Sequence, residues 1–119
     1  MATDLRKLIE ALAAASVDFV VVGGVAVVAH GHVRATLDLD VCYCRTSENL
    51  ERLAGALAPL HPTLRGAPAD LPFILNAETL RSGLNFMLRT DVGDLDLFGE
   101  VLGVGGYLEV ARQAEEIAL

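Results

Sequence analysis

Four aspartates stand in two D-x-D pairs, each set in an apolar run. Asp38 and Asp40 interrupt "TLDLDVCYC", and Asp94 and Asp96 interrupt "GDLDLF". Side chains alternate across a β-strand, so a spacing of two places each pair on one face. Leu39, Val41 and Tyr43 then face the other side of the first run, and Leu95 and Leu97 the other side of the second. Aspartate is a poor strand former, so its repeated placement there needs a reason. If the two strands are neighbours, three or four carboxylates converge. At ~5 Å and an effective dielectric of ~20, each pair of unit charges repels by about 3 kcal/mol. Such a cluster takes up protons, meets arginines or binds cations. Oxygen-only ligands favour hard ions, Mg²⁺ or Mn²⁺ first. The plainer alternative is a solvated sheet face, or aspartates that cap turns. Two pairs framed alike by apolar residues weigh against it.

The second chemical signal is "VVGG", which ends a β-branched run at Gly23 and Gly24. Glycine permits positive φ and close backbone approach. N–H groups at the start of a following helix would point at whatever sits there, and phosphate suits them. A tight turn explains two glycines equally well. No G-x-x-x-x-G-K-[ST] occurs, and "GVGG" near Gly103 lacks G-x-G-x-x-G spacing, so neither a P-loop nor a dinucleotide fingerprint is present. The combination is what informs. A phosphate-binding turn upstream of a metal-binding D-x-D, with a later carboxylate, could hold a nucleoside triphosphate with its metals. Arg34 and Thr36 share the parity of Asp38 if that strand starts early. Arg34 could reach a phosphate or neutralise the aspartates, while Thr36 fits a hydrogen bond near the turn. His30 reads as a packing histidine at a helix end. His32 and His61 carry no clear signal, and Arg81 and Arg89 read as solvated surface. Cys42 and Cys44 are too few for a structural zinc site and read as small buried hydrophobes.

These residues need elements to hold them. Thr3 or Asp4 can cap a helix over Leu5 to Ala15, with Leu5, Leu8, Ile9 and Leu12 on one stripe. "FVVVGG" reads as a buried strand. The stretch from Gly24 to His30 reads as a short helix stopped by Gly31. "TLDLDVCYC" is a second strand. Ser47 to Leu60 is a helix with Leu50, Leu53 and Leu57 as its apolar stripe and Glu48 and Glu51 in its first turn. Pro62 to Pro72 holds three prolines and a glycine, hence a loop or extended arm. Asn76 can cap a short helix through Leu80. "LNFMLRT" and "DLDLFG" flank "DVG" as a hairpin. "VLGVGG" is a connection, and Tyr107 to Leu119 a final helix. The order indicates an α+β domain, a mixed sheet with flanking helices.

The 119 residues suit one domain with a real core. Hydrophobic residues make up 53% and charged residues 21%, a globular balance. The longest apolar run, Phe19 to Ala29, is about half the ~20 residues that cross a bilayer. "MATDLRKLIE" does not resemble a signal peptide, so a cytoplasmic protein with no membrane partner is expected. A net charge of -7 excludes a broad nucleic-acid-binding surface.

The ordered motifs resemble the nucleotidyltransferase superfamily with the DNA polymerase β-like fold. The matching residues are Val22-Gly23-Gly24, then Asp38-x-Asp40, then Leu95-Asp96-Leu97. "GGVAVVAHGHVRATLDLDV" is most similar to the AbiEii/MenT-type toxin branch and related small transferases, through Gly23, Gly24, Ala26, His30, Gly31, Arg34, Thr36, Asp38 and Asp40. The resemblance covers about residues 19–99. It implies that Asp38, Asp40 and Asp96 hold one or two Mg²⁺ (or Mn²⁺) ions and that Asp96 helps activate an attacking hydroxyl. It also implies that Gly23 and Gly24, with Arg34 and Thr36, bind an NTP. The implied reaction moves a nucleoside monophosphate to a hydroxyl of RNA, protein or a small molecule and releases pyrophosphate. A cognate antitoxin or a homodimer is an expected partner. Members commonly continue with further helices, so residues 1–119 resemble a shortened catalytic core. That leaves a second expectation, a degenerate transferase-fold module acting through partner binding, and a third, a plain divalent-ion site.

Overall fold

The computed structural model describes residues 3–23, 27–29, 32–34, 38–68 and 70–117, with the side chains of 23, 27–29, 32–34 and 115–117 left aside. Asp4 caps α1 (Leu5–Ala14) by accepting from the Lys7 N–H. The expected strands form as β1 (Phe19–Gly23) and β4 (Asp38–Tyr43). Thr46 caps α2 (Ser47–Leu57). That helix gives way to a 3₁₀ turn at Ala58–Leu60 rather than running on to Leu60. Pro59 has no N–H to offer the carbonyl four residues back, which ends the α-helical ladder.

Between β1 and β4 the expected helix is replaced by a hairpin. Val27–Ala29 is a strand, β2, paired antiparallel with β3 (His32–Arg34). Two adjacent valines lose χ1 freedom in a helix, and a segment of seven residues scarcely nucleates one. Extended pairing satisfies the same backbone groups without that cost. Gly24, Ala26, His30, Gly31 and Thr36 lie outside the described residues.

The Pro62–Pro72 arm is more ordered than a loop. Its β5 (Thr63–Leu64) pairs with β6 (Asn85–Thr90). Asn76 caps α3 (Ala77–Ser82). A two-residue turn at Asp91 and Val92 joins β6 to β7 (Gly93–Phe98), as "DVG" predicts. "VLGVGG" is itself a small hairpin, β8 (Glu100–Val101) with β9 (Gly105–Gly106), leading into α4 (Tyr107–Ile117).

Among the described residues the main sheet runs in the order β1-β4-β7-β6-β5. β4 and β7 are parallel, and the other pairings are antiparallel, so the sheet is mixed. One face carries Leu39, Val41, Tyr43, Leu88, Leu95 and Leu97. It packs on Leu8 and Leu12 of α1, Leu50, Leu53 and Leu57 of α2, and Leu80 of α3. Burial of each such leucine contributes about 1.5–3 kcal/mol. The buried Asn49 ties α2 to the strands. Its amide donates to the carbonyls of Asp18 and Cys44, and its Oδ1 accepts from the Asp18 N–H. The amino end is fastened to the site strand: Thr3, 3% exposed, accepts at Oγ1 from the Asp94 N–H. Gly93 stands at φ +128° with the space of a Cβ filled by Thr3, 2.5 Å from its Cα. No helix among the described residues is long and apolar enough to cross a membrane.

Candidate functional site

The other face of the sheet carries the chemistry. Register pairs Asp38 with Asp94 and Asp40 with Asp96 across the parallel strands β4 and β7. The two D-x-D pairs therefore meet as neighbours, the geometry that would make three or four carboxylates converge. Carboxylate oxygens of Asp38, Asp40 and Asp96 all lie within 4.8 Å of one another. Asp96 is buried, and Asp38 and Asp40 are half-buried.

Gly23 reaches the same place from the opposite side. It pairs with Asp40, while Val21 pairs with Val41, so Val22 is an extra residue on β1. A bulge of this kind bends a strand end and re-aims the residues beyond it. The glycine thus sits next to the acidic cluster, as the motif order anticipates. The helix expected after it is absent from the described residues, so no helix N-terminus can be read at that turn. Gly24 and Thr36 lie outside the described residues. Arg34 ends β3 opposite Val27, and β4 is described from Asp38 onward. The residues between Arg34 and Asp38 lie outside the described residues.

Electrostatics at the cluster follow from crowding. Asp38 is pushed above the ordinary carboxyl value, first by hydrogen bonding with Asp96, then by burial and the Asp96 charge, with Arg65 opposing. Asp40 is raised chiefly by burial and then by the Asp38 charge, with Asp96 and Arg65 opposing. Its Oδ1 is buried without a hydrogen-bond partner among the described residues.

Arg65 is the residue of the cluster that the sequence did not reveal. Its Nη2 donates to Asp96 Oδ1 at 2.5 Å and lies 3.8 Å from Asp38 Oδ2; its Nη1 lies 3.6 Å from Asp94 Oδ2. Burial works against its charge, and the Asp96 hydrogen bond with the charges of Asp96, Asp94 and Asp38 outweighs it. The backbone explains the placement. The Arg65 N–H bonds the Met87 carbonyl at 2.9 Å, extending the β5–β6 pairing by one residue. With Leu64 facing the core, alternation turns Thr63 and Arg65 to the acidic face. That parity was available in "TLR", but only to a reading that put a strand in the proline-rich arm. Arg89, read as surface, is mostly exposed and lies 3.8 Å from Asp94.

Two arginines therefore face four aspartates, and the cluster is short of positive charge. Oxygen-only donors and a buried carboxylate oxygen without a hydrogen-bond partner among the described residues fit a hard cation. The three clustered acids could hold a metal ion. No protein-family model, curated protein or solved structure matches the chain.

Proposed function

We propose that the chain is a metal-dependent nucleotidyltransferase built on a polymerase β-like core. It would move a nucleoside monophosphate from an NTP to an acceptor hydroxyl with release of pyrophosphate. The observation that carries this reading is the register that sets Asp38, Asp40 and Asp96 together beside the Gly23 strand end. Asp38, Asp40 and Asp96 would hold the divalent cation, Mg²⁺ or Mn²⁺. When bound, the cation supplies positive charge to the phosphoryl oxygens on which charge redistributes. Asp96, the most enclosed of the three, would help activate the attacking hydroxyl. Gly23, beyond the bulge at Val22, carries no side chain to block a triphosphate approaching its backbone. A role within a toxin–antitoxin pair belongs to the same proposal.

The test is direct. Pure protein is incubated with each labelled NTP, Mg²⁺ or Mn²⁺ and cell extract, beside an Asp38→Ala/Asp40→Ala control. Label transfer by the wild type and not by the control supports the reading. No transfer from any NTP, by protein shown to be folded, sinks it.

One observation favours a second reading, a transferase-fold module that acts by binding a partner. Arg65 already partly neutralises the carboxylates without any ion. Calorimetric titration with ATP and Mg²⁺ separates the cases. Binding of neither favours the module, and metal binding indifferent to ATP favours a plain ion site.

A further inference from the structure

We propose that Arg65 is the resident counter-ion of the cluster, and that a divalent cation entering the site displaces it. This inference rests on the metal-site reading of Asp38, Asp40 and Asp96. The guanidinium and the cation draw on the same carboxylates. Arg65 Nη2 is on Asp96 Oδ1 at 2.5 Å and 3.8 Å from Asp38 Oδ2, and both residues belong to the set of acids able to hold an ion. A Mg²⁺ ion binds oxygens at about 2.0–2.1 Å in a demanding octahedron. A cation seated on the Asp96 Oδ1 lone pair that now accepts from the guanidinium shifts the arginine, because one lone pair serves one partner. Like-charge repulsion acts in the same direction: a dication among these carboxylates would stand a few ångströms from the Arg65 charge.

The structure also shows why displacement is feasible. Arg65 follows the short edge strand β5, and its backbone is fixed by one hydrogen bond to Met87. Its side chain is held by the three aspartates and by the Leu88 carbonyl at 3.3 Å, and it is a quarter exposed. Rotamer changes suffice to release it toward solvent without moving the sheet. A freed guanidinium next to the occupied site has the planar donor fork that suits phosphate oxygens. The arginine is thereby a substitute cation in the metal-free chain and a candidate phosphate contact in the loaded one.

The test compares MnCl₂ binding to wild type and Arg65→Gln by calorimetry, with circular dichroism to confirm folding. Removal of the competitor should tighten Mn²⁺ binding by about threefold to tenfold, against a factor of ten per 1.4 kcal/mol. Equal or weaker binding by Arg65→Gln overturns the proposal. A second measurement reads the site in the wild-type protein. In protein labelled with ¹⁵N-arginine, the Arg65 Nε–H resonance, assigned by its loss in Arg65→Lys, should shift as MgCl₂ approaches saturation. A resonance unmoved while calorimetry reports bound Mg²⁺ overturns the displacement and leaves the metal site standing. No binding of Mn²⁺ or Mg²⁺ to either protein overturns the metal-site reading and this inference with it.

Discussion

Asp40 illustrates how a residue can cost stability where it stands. Its neighbours in the cluster are acids, its Oδ1 has no partner among the described residues, and its carboxyl is raised by burial and by Asp38. A carboxyl whose folded-state pKa lies above its unfolded value binds its proton more tightly in the folded chain. Its contribution therefore falls as pH rises from 3.8 through the raised value, and it remains unfavourable at pH 7. Asp40→Asn should accordingly melt higher than wild type in EDTA at neutral pH. The gain should be on the order of 1 kcal/mol once solvent screening is allowed for. The same variant should lose the stabilisation that MgCl₂ gives the wild type. A lower melting temperature in EDTA contradicts this account of Asp40. The two cysteines offer a contrast. Cys42 is fully buried and its thiol is pushed up chiefly by burial, whereas Cys44 is partly exposed. Thiolate is the reactive form, so iodoacetamide should modify Cys44 in the folded protein and reach Cys42 only in denaturant, as peptide mass spectrometry can read.

At the scale of elements, the fold holds its site by a few fastenings that substitution can probe. Gly93→Ala would force a side chain into Thr3 at a φ that L-residues rarely adopt. A loss of about 2 kcal/mol or more is expected from denaturant unfolding. Asn49→Ala removes three hydrogen bonds that join α2 to the ends of β1 and β4, and a loss of about 2–4 kcal/mol is expected. These elements also show what a sequence discloses. The D-x-D strands were legible because parity alone decides which face a strand residue takes, α1 and α2 because their caps and leucine stripes agree, and α3 from its Asn76 cap. Two features were not legible. The segment after Gly23 was ambiguous, since a short apolar run with alanine and valine suits either a helix or a strand. Its pairing with His32–Arg34 is a tertiary fact that local propensity does not encode. Arg65 was hidden for a related reason. Its role depends on β5 joining the sheet edge, and Pro62, Pro68 and Pro72 argue locally for a loop.

The whole molecule separates its two jobs between the faces of one sheet. Leucine-rich packing with three helices occupies one face, while the other carries four carboxylates, three of them partly exposed. The acidic excess adds to this division, because a net charge of -7 repels further anions and favours cations generally. Specific cation binding can be distinguished from that background. MgCl₂ at ten times its dissociation constant should stabilise the wild type by about 1.4 kcal/mol, which is a few degrees in Tm. NaCl at equal ionic strength should not reproduce it, and the Asp38→Asn/Asp40→Asn protein should respond to neither beyond screening. An equal response of both proteins to MgCl₂ would point to the diffuse charge instead of the cluster.

Thr3 gives that measurement a practical edge. Its hydroxyl holds the backbone of Asp94, whose carboxylate stands beside Arg65. A peptide joined ahead of Met1 starts two residues, at most about 7 Å of extended chain, from Thr3. At roughly 3.3–3.6 Å per extended residue, six added histidines could span about 20 Å. A purification tag at this end would bring imidazoles within reach of the metal under titration, so affinities should be measured on protein cleaved of its tag or tagged at the other end.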